Sequence, residues 1–179
     1  MNPFLITFIS IVLLIGVVSD LRFQRIPNVL AFPTMIAALA YHGVNGGSEG
    51  LLFSAKGLGL GVTLLLLPYM MGGMGAGDAK LMGAVGAVVG PAGVFIAFLF
   101  TAIFGGIYGL ALLLARPEYL KEVIKRCWAV LKALVYGKQI IYIPPVKNHK
   151  KPRLCYGVAI AVGTICSIFW RLAGYTLLI

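Results

Sequence analysis

Apolar residues are gathered into six runs separated by short polar or glycine-rich stretches. The first is opened by Asn2-Pro3, continues to Val18, and is closed by Ser19-Asp20-Leu21-Arg22. A second extends from Pro27 to Tyr41, entered through Ile26-Pro27-Asn28, where proline suits a first helical turn. The Gly- and Asn-rich stretch His42–Gly50 predicts a loop, and a third run covers Leu51 to about Met71. Gly72-Gly73-Met74-Gly75-Ala76-Gly77 is too dense in glycine to favour helix. A fourth run follows Asp78 and stops at Gly90-Pro91; a fifth extends from Ala92 to Ala115, and a sixth from Leu154 to the C-terminus. Apolar runs of this kind read as membrane spans. The expected fold is an all-α polytopic membrane protein with about six transmembrane helices, forming a single domain over residues 1–179.

The fourth run is too short for a full crossing. Ala79–Val89 is 11 residues, which covers roughly 16 Å, about half of a ~30 Å hydrocarbon core. Either that helix is short or the glycine stretch before it dips into the bilayer. Both place Asp78 close to the headgroups or below them. Irregular backbone at that depth requires surrounding protein or a water-filled cavity, so a small aqueous pocket is expected at Asp78.

Between runs five and six the periodicity changes. From Pro117, Leu120, Val123, Ile124, Cys127, Val130, Leu131 and Leu134 recur at three- and four-residue steps, with Lys121, Glu122, Lys125, Arg126 and Lys132 opposite and Gly137 as a stop. This predicts a basic amphipathic helix lying in the headgroup layer, with anionic lipid as its partner. Ile141–Pro152 reads as an extended connector.

Composition agrees with a membrane protein. Hydrophobic residues make up 60% of the 179 and charged ones 11%, against about a quarter charged in soluble domains; the mean hydropathy is +0.99. Disorder, a collagen-like fibre and a disulfide-stapled module are excluded. Three cysteines, Cys127, Cys155 and Cys166, without a C-x-x-C pair, leave no zinc knuckle or disulfide framework. The first run lacks a basic leading region and a small-residue cleavage pattern, so it is expected to stay attached.

Charge then sets the orientation. The net charge is +10, and residues 116–153 alone carry ten Lys or Arg against Glu118 and Glu122. With Arg22, Arg25, Lys80 and this basic linker on the cytoplasmic side, 13 of the 15 positive residues lie there, leaving Lys56 and Arg171 toward the other end. Both termini are then outside, and the pocket at Asp78 opens to the cytoplasm. Nucleic acid, the other partner a basic stretch suggests, is not expected between membrane spans.

Acids are scarce: Asp20, Glu49, Asp78, Glu118 and Glu122. The two aspartates, 58 residues apart, fall at the cytoplasmic ends of their helices and can meet in a bundle. An intramembrane aspartate is a functional candidate by default. Two facing carboxylates share one proton, so one can draw a proton from water while the other polarises a carbonyl. The structural alternatives are an N-cap role for Asp78 and pairing of Asp20 with Arg22 or Arg25. As the chain's only aspartates, the pair favours catalysis.

Gly75-Ala76-Gly77-Asp78-Ala79-Lys80 fits the G-x-G-D-x-K signature of the type IV prepilin peptidases, membrane aspartic proteases. Asp20-Leu21-Arg22-Phe23-Gln24-Arg25-Ile26-Pro27-Asn28 resembles their second element, an Asp followed by Ile-Pro-Asn. Cys155-Tyr156-Gly157-Val158-Ala159-Ile160 resembles a third, Pro-Tyr/Phe-Gly-x-Ala, with Cys155 in place of the proline. The resemblance covers essentially the whole chain. It implies removal of short basic leaders from prepilin or pseudopilin precursors at the cytoplasmic face of the plasma membrane. Asp20 and Asp78 match the catalytic pair, with Pro27, Asn28, Gly75, Gly77, Lys80, Tyr156 and Gly157 as supporting or substrate-binding residues. The glycines before Asp78 let a substrate backbone approach or simply form the turn. Lys80, about 200° round a helix from Asp78, is expected to contact phosphate or snorkel. Larger family members add a cytoplasmic region with paired cysteines and N-methyltransferase activity. Here methylation, a metal and S-adenosylmethionine are not implied, as in the small Tad/Flp-type or archaeal peptidases.

Two rivals remain. A small proton-coupled transporter would place acids at mid-membrane depth and show an internal repeat, which the sequence lacks. A non-catalytic pilus-assembly subunit would need neither aspartate.

Overall fold

The computed structural model describes residues 2–70, 74–115 and 155–174. Within them lie four helices: α1 Pro3–Phe23, α2 Asn28–Met70, α3 Ala76–Leu114 and α4 Tyr156–Leu172. The amphipathic helix expected from Pro117, the connector Ile141–Pro152 and Gly72-Gly73 lie outside the described residues. Contacts gather residues 1–105 and 155–179 into one compact unit and 106–154 into another. The first unit holds everything below; the described part of the second is the end of α3 and residue 115. α1, α2 and the stretch Ala76–Leu112 of α3 are long and apolar enough to cross a membrane, and α4 is a shorter apolar helix of 17 residues.

α1 begins where its sequence provides a cap. Asn2 Oδ1 accepts the Phe4 N–H at 3.2 Å, its Nδ2 donates to the Tyr41 hydroxyl at 2.8 Å, and Pro3 occupies the first turn, where it loses no hydrogen bond. The helix runs on through Ser19-Asp20-Leu21-Arg22, which therefore belongs to its last turns instead of closing it. It stops where Gln24 turns left-handed, φ 52°, and donates its N–H to Asp20 O.

The expected loop at His42–Gly50 is absent. α2 is helical on both sides of Gly47, and that residue alone carries the break, with φ 58° and ψ −144°. A straight helix would hold residues eight positions apart at about 12 Å, yet the Gly50 backbone lies directly against the His42 carbonyl. The chain therefore doubles back. Helix continues on both sides up to Gly47, the one residue whose left-handed φ reverses the chain. α3 breaks as the sequence predicts, at Gly90, φ 80°, followed by Pro91.

The residues from Ala76 to Val89 form the hub. From Asp78 to Gly90 every residue except Lys80 is buried, so this segment is enclosed on all sides. The second half of α2 runs antiparallel to it: Gly57 sits against Gly86, Gly61 against Met82, and the Phe53 ring fills the space over Gly90. A Cβ on Gly57 would collide with the Gly86 carbonyl. Small residues at four-residue spacing allow this close backbone approach. Around the hub, α1 buries Leu5, Ile9, Val12, Leu13, Gly16 and Asp20 while Phe4, Ile11, Leu14, Ile15 and Val18 stay exposed. Large exposed apolar side chains of this kind suit a lipid-facing surface.

The break at Gly90 frees backbone carbonyls, and side chains from elsewhere take them. Pro91 has no N–H to offer Ala87 O; Ser54 Oγ donates to it instead, at 2.7 Å. His42 Nε2 lies 3.1 Å from Val88 O, which requires the proton on Nε2, since a carbonyl only accepts. Arg171 Nη1 donates to Val89 O at 3.3 Å. Arg171 is thus a helix cap, as is His42.

Candidate functional site

At the opposite end of this segment three chain turns converge. Asp20 extends the buried stripe of α1, four residues past Gly16, so its position on the helix turns the carboxylate inward. It is 6% exposed, and its Oδ2 accepts the Gly157 N–H at 2.9 Å. Gly157 lies in the first turn of α4, whose unpaired N–H groups and positive dipole end suit an anionic oxygen. A Cβ there would fall 2.9 Å from that same Oδ2, so glycine is needed for the contact.

Asp78 is 9% exposed and sits in the first turn of α3, two residues after the start of the helix. It is not the N-cap. Its Oδ2 reaches back to accept the Gly75 N–H at 3.0 Å, while its own N–H donates to Gly75 O at 3.1 Å. The side-chain bond is the acidic half of a capping box, and the other bond is a backbone turn, since Gly75 has no side chain to offer. The charge of Asp20 reaches Asp78, and that of Asp78 reaches Tyr156. The half-buried Tyr156 ring packs against Gly105, where a Cβ would come within 2.8 Å of its hydroxyl.

The segment after Asp20 is shaped by its own residues. Ser19 Oγ donates to Arg25 O at 2.9 Å, and Pro27 O accepts the Leu30 N–H at 3.0 Å at the start of α2. Ile26 is buried against Gly77, whose added Cβ would lie 3.1 Å from Ile26 Cβ. The close approach served by Gly77 is therefore intramolecular. Lys80 departs from expectation as well. Its ammonium donates to Asn28 Oδ1 at 2.8 Å and lies 5.2 Å from the centre of the Phe32 ring, two partners the sequence did not point to. Cys155 is the non-helical residue before α4, with φ −82° and ψ 84°.

Asp20, Asp78, Gly75, Gly77, Pro27, Asn28, Lys80, Tyr156 and Gly157 thus fall on three neighbouring turns. Ser19, Ile26, Phe32 and Gly105 join them without having been singled out. Ile26 stood inside a quoted motif and Ser19 beside one; Gly105 carried no signal, being 51 residues from Tyr156. Among the described residues no group of three His, Cys, Asp or Glu side chains could hold a metal ion.

A family model described as the type IV leader peptidase family matches residues 7–110, more than half of the chain. The chain belongs to that family. It is also similar to the prepilin leader peptidase/N-methyltransferase of Bacillus subtilis (strain 168), with 30% identity over 143 residues. That alignment covers 76% of this chain and 56% of the relative, so the chain spans little more than half the relative's length. No solved structure gives a significant match. The leader peptidase match includes both aspartates and the turns that hold them. Tyr156 and Gly157 lie beyond it, and the fold brings them alongside through the Gly157–Asp20 hydrogen bond.

Proposed function

We propose that this chain is a membrane aspartic endopeptidase that removes short basic leaders from prepilin or pseudopilin precursors. The observation that carries the reading is the convergence of the chain's only two aspartates, both buried, in a member of the leader peptidase family. Each carboxylate is anchored through Oδ2 by a backbone N–H. Such anchoring presents Oδ1 to a water molecule and a peptide bond in a set direction.

With one proton shared by the pair, the ionised member takes a proton as the water oxygen attacks the scissile carbonyl carbon. The neutral member meanwhile donates a hydrogen bond to the carbonyl oxygen. The tetrahedral adduct collapses when the leaving nitrogen is protonated. The products are a leader with a new carboxyl end and a mature protein with a new amine. Sharing a proton needs carboxylates close enough to repel each other, and the contact of Ile26 with Gly77 between the two aspartate-bearing turns supports that proximity.

One membrane-embedded domain over residues 1–179 would hold six crossings: α1, the two halves of α2 about Gly47, the two parts of α3 about Gly90, and α4. The basic residues after α1 and in 116–153 favour termini outside and the aspartates at the cytoplasmic face. Membrane lipid is then the surrounding partner, with anionic headgroups against the basic linker.

The reading is tested by co-expressing the chain with a prepilin precursor and following both polypeptides. A faster-migrating pilin whose new N-terminus, by mass spectrometry, follows the basic leader is the expected result. Unprocessed precursor beside a membrane-inserted, folded chain would contradict it.

A further inference from the structure

Lys80 leaves the Asp78 side of α3. Two residues along a helix is about 200° of rotation, so its side chain points to the start of α2. There the ammonium meets two groups one helical turn apart on the same face: Asn28 Oδ1 at 2.8 Å and the Phe32 ring at 5.2 Å. Asn28 closes the segment that starts at Asp20, and Lys80 closes the one that starts at Gly75. The bond therefore joins the two aspartate-bearing turns at their far ends, while Ile26 against Gly77 joins them in the middle.

We propose that Lys80 is a positioning residue, a clasp between the first turns of α2 and α3 that holds Asp78 in register with Asp20. This rests on the peptidase reading above and goes beyond it, because it gives Lys80 neither substrate nor lipid to bind. The chemistry of the contact favours a clasp. An ammonium is a compact charge with three donors. An amide oxygen and an aromatic face both attract it, and both attractions depend on its charge. A lysine reserved for lipid phosphate would gain nothing from either group. The separation of two coupled carboxylates is also the quantity that catalysis by a pair is most sensitive to, since small displacements of a reacting group cost rate steeply.

The test is a double-mutant cycle on the full chain, reconstituted in phospholipid vesicles with a purified prepilin precursor. Lys80→Met keeps the length and apolar stem of the side chain and removes the charge. Asn28→Ala removes the acceptor without touching Pro27 O, which makes the first hydrogen bonds of α2. Displacement of Asp78 from its register is expected to lower kcat about tenfold, with KM unchanged because substrate contacts are intact. The two substitutions together are expected to be no worse than the more damaging one alone. If Lys80→Met does not accumulate in membranes, Lys80→Gln completes the same cycle. Losses that multiply in the double variant, or a rise in KM at constant kcat, would overturn the clasp and return Lys80 to substrate or lipid. A wild-type chain that cleaves nothing would instead overturn the peptidase reading itself.

Discussion

At the scale of single residues, the site depends on which positions have no side chain. Gly157, Gly77 and Gly75 each lie against a group that matters, but with different clearance. A Cβ on Gly157 would meet Asp20 Oδ2 at 2.9 Å; on Gly77, Ile26 Cβ at 3.1 Å; on Gly75, Asp78 Oδ2 at 3.4 Å. Gly157→Ala is therefore expected to displace the Asp20 carboxylate and lower cleavage about a hundredfold, with Gly77→Ala intermediate and Gly75→Ala within a few-fold. Rates of leader removal for the three variants at equal membrane abundance check the order. The two aspartates stood out in the sequence because acids are so few and a buried carboxylate is costly. The partner of Lys80 was not legible. Asn28 is 52 residues away, and helical geometry says where a lysine does not point without saying what lies on its other side.

At the scale of elements, the two helix breaks show where sequence reading works. Gly90-Pro91 was readable because proline cannot donate to Ala87 O, so a helix cannot pass unchanged. His42–Gly50 was misread because glycine and asparagine favour loops, whereas here helix continues from both sides up to Gly47, the one residue whose positive φ reverses the chain. The consequence at Gly90 is a set of freed carbonyls covered by Ser54, His42 and Arg171. Ser54→Ala would leave the Ala87 acceptor buried and unpaired, at a cost of about 1 kcal/mol in a membrane setting. Gly57→Ala would force apart the α2 and α3 backbones that now touch, and should cost more. Gly59 faces open space, so Gly59→Ala should be neutral or stabilising by up to about 1 kcal/mol. Thermal denaturation of the purified variants in detergent is expected to rank them in that order, Gly59→Ala above wild type or equal to it and Gly57→Ala lowest.

At the scale of the whole molecule, one feature organises the rest. The hub from Ala76 to Val89 carries Asp78 at its first turn and the capped carbonyls at its last, so the proposed catalytic carboxylate and the capped break are separated by the length of one short helix. Apolar periodicity and charge clustering were enough to anticipate a helical membrane protein. They could not reveal how glycines interlock α2 with α3, because those contacts depend on which faces meet. Orientation is checked with an impermeant thiol reagent on chains carrying Arg25→Cys or Val44→Cys, both exposed positions. Labelling of residue 25 from the cytoplasmic side and of residue 44 from the outside is expected. The central claim is that Asp20 and Asp78 act as one catalytic unit. Its most direct test is the cleavage rate of a purified prepilin precursor by vesicles holding wild-type chain, Asp20→Asn, Asp78→Asn, or the double variant. Each single substitution should lower the rate by about a thousandfold or more, and the double variant should be no slower than either. Processing at the wild-type rate by either single variant would contradict it.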